Sequence, residues 1–158
     1  MTQRKQIETR RRGVRGEGAK VMVDDETQLN DLTKAIIGAA IEVHRQLGPG
    51  LLETVYRKCL AYELRKRGHN VIEERPIPVV YDDQEHECGF RADLLVDDCV
   101  VVELKAKSAI HPVDKAQTLS HLRLMNLPVG LLINFHEVKL IDGLHRIVNN
   151  YKGPKPST

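Results

Sequence analysis

The order of apolar patterns along the chain predicts an α/β or α+β fold, a hairpin-rich sheet with helices packed on it. The first observation is the order itself, which runs helix, helix, three strands, helix, then further strands. The second is length, because 158 residues fit one domain and suffice to bury a real core. The third is a short β-branched stretch, Val100 to Lys107 (VVVELKAK), that carries charged groups inside what otherwise reads as core.

Residues 1–26 are polar and charged, with Arg10, Arg11, Arg12 and Arg15 clustered and no apolar period, so a flexible basic tail is expected. Such a cluster could serve as a phosphate-binding arm, but a solvated extension explains it more cheaply. The domain is expected over 27–150. Leu29, Leu32, Ile36, Ala40, Val43 and Leu47 recur at helical spacing, and the stripe stops at LGPG, where Gly48 suits a left-handed cap. A second helix is expected from about Leu51 to Arg67, with Leu52, Val55, Cys59 and Leu60 as its stripe and Gly68 at its end.

The next section reads as β. The stretch from Asn70 to Tyr81 is a strand interrupted by Pro76 and Pro78, hence an edge or bulged strand. Asp82, Asp83 and Gln84 form a turn. His86 to Val96 and Cys99 to Lys107 then give two strands joined through Asp97 and Asp98. Pro112 suits the first turn of a third helix, from about Val113 to Met125. Val129 to Phe135 is a continuous apolar strand, buried on both faces. The segments EVKLID and LHRIV read as a closing hairpin around Asp142 and Gly143, followed by a tail over 151–158.

Composition excludes more than it selects. The net charge of +2 decides nothing about partners, and the absence of tryptophan argues against an extended aromatic surface for single strands. Cys59, Cys88 and Cys99 are odd in number and lack CxxC spacing, which argues against a disulfide framework or a zinc knuckle. Reduced thiols in a cytoplasmic protein fit better, and no apolar run approaches a membrane span. The histidines lack zinc-ligand spacing. His111 and Asp114 read as capping groups, and no phosphate-cradling glycine loop is present.

On the Val100–Lys107 strand, alternation puts Glu103 and Lys105 on one face with Val101 and Lys107. Asp93 shares a face of the preceding strand with Arg91 and Leu95. A two-residue turn at Asp97 and Asp98 would set Asp93 opposite Val102 and aim its carboxylate away from Glu103. A three-residue connection, Asp97 to Cys99, would set Asp93 opposite Glu103. Two carboxylates in contact repel unless something positive sits between them, and a divalent cation suits such hard oxygen ligands. The plainer reading is an exposed Glu103–Lys105 pair on a strand face, worth little.

Asp93 followed by Glu103-Leu104-Lys105 resembles the D…(D/E)xK signature of the PD-(D/E)xK nuclease superfamily. Gly50-x-x-Glu53-x-x-Tyr56 matches the motif that names the GxxExxY family within it. FRADLLV, VVELKA, Gln117 and GLLINF follow in that family's order, so the resemblance covers roughly Leu29 to Val148. It implies a restriction-endonuclease-like core, a mixed central sheet flanked by helices, and Mg²⁺-dependent hydrolysis of phosphodiesters with Mn²⁺ able to substitute. Carried over by position, Asp93, Glu103 and the Leu104 carbonyl would hold the metal, with Glu53 completing the acidic set directly or through water. Lys105 would orient or help deprotonate the attacking water.

Gln117 corresponds to the glutamine of the QxxxY motif of RecB-like and lambda-exonuclease-like members, whose tyrosine position is His121 here. Alanine, not proline, precedes Asp93. Candidate substrate contacts are Arg91, Lys107, Tyr56 and His121, although a packed tyrosine explains Tyr56 more simply. The resemblance implies nucleic acid as partner, DNA ahead of RNA, with a homodimer or protein partner supplying any further contact surface. The alternative function is a catalytically silent module that binds nucleic acid or a protein; a third reading is hydrolysis of another phosphoester at the same metal site. The intact set Glu53, Asp93, Glu103, Lys105 and Gln117 favours catalysis over the silent module.

Overall fold

The computed structural model describes residues 26–150; the tails expected at 1–26 and 151–158 lie outside the described residues, except Glu26, which opens the first helix. Helix α1 spans Glu26–Leu47 and buries Leu29, Ile36, Ala40 and Val43 of the stripe that the spacing predicts, with Leu32 partly buried and Leu47, in its last turn, exposed. It stops where Gly48 turns left-handed at φ 72°, a conformation that glycine adopts at little cost. Helix α2 spans Glu53–Lys66, buries Leu60 and Leu64, and gives way to Gly68 at φ 94°.

Strand β1 covers Val71–Pro76, β2 Val79–Tyr81, β3 Gln84–His86, β4 Arg91–Val96 and β5 Val100–Lys105. Helix α3 covers Pro112–Met125 with the proline in its first turn, and ends at Asn126 in the left-handed region. Strand β6 covers Val129–Asn134, and β7 covers Leu144–Val148. Five strands form one sheet in the order β1-β4-β5-β6-β7, and β2 pairs with β3 in a separate two-stranded ribbon. Only β5 and β6 run parallel, with α3 as the connection between them; the other neighbours are antiparallel. The molecule is therefore a mixed sheet flanked by helices.

The two sheet faces carry different clusters. Leu94, Val96, Val100, Val102 and Leu104 pack with Ile36, Leu60 and Leu64 of α1 and α2. Leu95 and Val101 pack on the other face with Leu122 of α3, Leu127 and Ile77. Strand β6 is buried at every position, as a strand covered on both faces requires. Each fully buried large aliphatic side chain contributes roughly 1.5–3 kcal/mol. The sheet is thus a rigid base on which polar groups can be fixed. Among the described residues, no helix is long and apolar enough to cross a membrane.

Three expectations need correction. Of the stripe expected on α2, Leu60 is buried and Cys59 partly so, but Leu52 lies just before the helix and is exposed, as is Val55, because Tyr56, Leu60, Ala61 and Leu64 form the buried face. The run from His86 to Val96 is not one strand: β3 leaves at His86, Gly89 turns left-handed at φ 78°, and β4 begins at Arg91. The closing hairpin around Asp142 and Gly143 is also absent. Leu140–Gly143 is a 3-10 turn, and β7 pairs with β6 instead. In that segment Leu140 is buried while Val138 and Ile141 are exposed, so the apolar alternation does not line a sheet face. Gly143 is needed because a Cβ there would run into the Asn134 carbonyl oxygen.

Gly143→Ala should lower stability by about 1–3 kcal/mol, as overpacking of a closed site does. Urea denaturation monitored by circular dichroism checks this; an unchanged midpoint would contradict the close approach of residue 143 to Asn134.

Candidate active site

The turn between β4 and β5 decides the site. Asp97 and Asp98 sit at φ 51° and 55°, short acidic side chains being among the few that accept this region. Val96 pairs with Val100, Leu95 with Val101 and Leu94 with Val102, so the connection is Asp97 to Cys99. Of the two registers open in the sequence, this three-residue one holds. The turn is anchored from outside, since Asp97 Oδ1 accepts the Asn70 N–H at 2.8 Å and Asp97 Oδ2 bonds His69 Nδ1 at 2.8 Å.

Continued, that register would face Asp93 with Glu103, but the β4–β5 ladder ends at Leu94 and Val102. Beyond it, Ala92 and Arg91 remain paired with β1, at Arg75 and Pro76. Glu74, the β1 residue opposite Asp93 in that register, takes φ 50°. Ala92 also joins the Leu95–Val101 cluster, although alternation would place it with Leu94. The strand has turned. The Asp93 side chain consequently fills the gap where the ladder stops, and its Oδ2 accepts the Leu104 N–H at 2.8 Å.

Glu103 lies 6% exposed on the α3 face, and its Oε2 is 2.7 Å from His121 Nδ1. Burial pushes the Glu103 carboxyl up, the hydrogen bond from His121 opposes that, and Asp93 adds to it. Glu53 belongs to the first turn of α2. It is exposed as a residue, but partial loss of water and the charge of Asp93 raise its carboxyl, against Lys105, Arg57 and Lys107. Glu53 and Glu103 thus both feel Asp93 from separate elements.

The GxxExxY spacing has a local explanation. Tyr56 is fully buried, stacked on Phe135 with ring centroids 4.6 Å apart. Its hydroxyl donates to the Gly48 carbonyl at 2.6 Å and accepts the Leu51 N–H at 3.1 Å. Tyr56 therefore staples the loop that launches α2, with Gly50 at φ 102°, and so fixes where Glu53 begins. Its ring and hydroxyl face the protein, not a substrate.

Lys105 Nζ lies 3.5 Å from Gln117 Oε1 and 4.0 Å from Asp114 Oδ1. Lys107 Nζ is 2.7 Å from Asp114 Oδ2, so it is engaged with α3 and not free. Asp114 also accepts the His111 N–H at 2.8 Å; burial works against its ionisation, but Lys107 and that N–H outweigh it and hold its carboxyl low. Arg91 is exposed at the start of β4. His121 is buried against Glu103, so its imidazole orients the carboxylate from behind instead of meeting substrate.

The sequence showed only part of the role of one residue and nothing of another. Asp114 read as a cap, which it is, but its pairing with Lys107 also needs the β5–α3 loop to fold back. Asn134 is fully buried; its Oδ1 accepts the Lys107 N–H at 3.1 Å and its Nδ2 donates to the Lys107 carbonyl at 2.8 Å, fixing the chain just after β5. A lone polar residue at the end of the apolar β6 run was the available signal.

Among the described residues, no three His, Cys, Asp or Glu side chains form a ready cage for an ion. The donor set nevertheless suits a hard divalent cation that retains water, since such ions need only one or two carboxylates from the protein. Asp93 raises the carboxyls of both Glu53 and Glu103, and Lys105 works against it at both.

A raised Glu103 carboxyl carries a sign. Its cost to the fold is absent below the ordinary carboxylate range and complete once pH passes the elevated folded-state value. In EDTA near neutral pH, Glu103→Gln should therefore be more stable than wild type by about 0.5–2 kcal/mol. The gap should close as pH falls through that range. Thermal melts across pH check this, and a less stable glutamine variant at neutral pH would contradict it.

A sequence profile of the PD-(D/E)XK nuclease superfamily matches residues 30–147. No curated protein and no solved structure matches the chain. The matched span runs from α1 to β7 and contains every acidic residue of the site, so the chain belongs to the PD-(D/E)XK nuclease superfamily.

Proposed function

We propose that the protein is a Mg²⁺-dependent nuclease of the GxxExxY type that hydrolyses phosphodiester bonds, with DNA ahead of RNA as substrate and Mn²⁺ able to replace Mg²⁺. The observation that carries this reading is electrostatic. Asp93 of β4 raises the carboxyls of both Glu53 on α2 and Glu103 on β5, Lys105 lowers both, and Asp93 Oδ2 accepts the N–H of Leu104, the residue after Glu103, at 2.8 Å. Carboxyls that disfavour one another's ionisation, set beside a lysine, are an arrangement that functional sites build.

Asp93 and Glu103 would hold the cation, with the Leu104 carbonyl and Glu53, the latter directly or through water. When bound, a divalent ion lowers the pKa of its water and offsets charge on the phosphate. Lys105 supplies the fixed positive charge where negative charge accumulates, and Gln117 steadies its ammonium. His121 fixes which oxygen of Glu103 faces inward, because the other is committed to the imidazole. Asp114 keeps Lys107 from collapsing onto the acidic groups. Arg91, exposed at the mouth, is available to a phosphate outside the scissile one.

The test is cleavage by purified protein of linear and circular duplex DNA, single-stranded DNA and RNA, in EDTA, Mg²⁺ or Mn²⁺. Cutting should require the metal, and Glu103→Ala and Lys105→Ala should each lower it at least about 100-fold. Folded protein that cuts no substrate, or variants that cut as wild type does, would refute the assignment and leave a binding module.

A further inference from the structure

Phenylalanine occurs twice in this chain and tryptophan not at all. Phe135 is fully buried, whereas Phe90 is 45% exposed, so the second ring has been left in water. Its position is specific. Phe90 precedes β4 directly, its carbonyl accepts the Ile77 N–H at 2.8 Å, and its ring centroid lies 6.2 Å from that of His121. His121 in turn holds Glu103 at 2.7 Å. An exposed aromatic ring therefore stands one imidazole away from a proposed catalytic carboxylate.

The other elements that deliver site residues show the same habit. Leu52, 76% exposed, immediately precedes Glu53, and Val113, 69% exposed, immediately precedes Asp114. Phosphates gain nothing from such side chains. Bases do, because every base has a π-face and stacking on an aromatic ring is indifferent to sequence. A base can reach a ring this way only if it is unpaired.

The chain leading to Phe90 adds a second constraint. Asp82, Asp83, Glu85 and Glu87 are all exposed on the β2–β3 ribbon and the segment after it. A duplex continuing past Phe90 on that side would bring its phosphates toward these carboxylates, which repel them. An unpaired base stacked on Phe90 does not require the strand to continue past it.

Resting on the nuclease reading above, the geometry points to Phe90 as a stacking platform for an unpaired base beside the scissile phosphate. The preferred substrate is accordingly a strand with unpaired nucleotides, a single strand or an overhang, and not the interior of a closed duplex. This does not require the extended aromatic surface that the composition excludes, because one ring suffices.

The test combines binding and cutting in the full chain. Phe90→Trp creates the only tryptophan, so its emission reports stacking directly; a single-stranded oligonucleotide titrated in EDTA should quench it, and a relaxed, covalently closed circular duplex should not. With Mg²⁺ or Mn²⁺, Phe90→Ala and Phe90→Leu should each cut an overhang substrate about 5- to 100-fold more slowly than wild type, the range one base–aromatic stack supplies. Both should cut the closed circular duplex at the wild-type rate. The leucine variant keeps an apolar side chain, so its loss isolates the ring. Wild-type rates from both variants on the overhang, or emission unmoved by an oligonucleotide that competes for cutting, would overturn the platform while leaving the nuclease standing. If folded wild type neither binds nor cuts any nucleic acid, both readings fall together.

Discussion

Past Leu94 and Val102 the β4–β5 ladder stops, and the carboxylate of Asp93 takes over by accepting the Leu104 N–H. That substitution of a side chain for a strand partner underlies the rest of the site. It keeps Asp93 where the β4–β5 ladder opens, against the residue that follows Glu103, without leaving the Leu104 donor unsatisfied. A turn one residue shorter would have moved every side chain of β4 to the opposite face relative to β5. The left-handed pair Asp97 and Asp98, with Asp97 tied to His69 and Asn70, holds the register against that slip.

The layers around the sheet then divide the labour. Helices α1 and α2 seal one face with aliphatic residues, and the Tyr56 staple converts that packing into a fixed starting point for Glu53. Helix α3 seals the other face and contributes polar groups through successive turns: Asp114 to Lys107, Gln117 to Lys105 and His121 to Glu103. These positions follow one another at helical spacing, so a single helix rigidifies three side chains of the β5 end at once. Burial of the Glu103 carboxylate is unfavourable in isolation. Its survival inside a packed sheet is what a site held ready for a positive ligand would look like.

Much of this was legible beforehand. The three helices, their glycine and asparagine stops, the buried β6 and the acidic residues all follow from periodicity and residue type. Both hairpin registers were visible too, but choosing between them required knowing that His69 and Asn70 reach Asp97, a contact across 28 residues. The lost hairpin at Asp142 failed for a related reason. Alternation in EVKLID suggested a strand, while β6 already offered its edge to β7 and Gly143 had to press against Asn134. The pairing of Asp114 with Lys107 and the role of Asn134 escaped notice because local sequence shows a cap and a strand end, not the lysine and backbone groups they meet from elsewhere.

The central claim is that these carboxylates exist to hold a divalent ion, and it can be tested without any nucleic acid. Titration of Mn²⁺ into the protein, with free ion followed by electron paramagnetic resonance, measures binding directly. Wild type should deplete the free-ion signal saturably, and Asp93→Asn and Glu103→Gln should each weaken that depletion at least about tenfold while the proteins remain folded. Equal depletion by all three proteins, or none by folded wild type, would contradict the account.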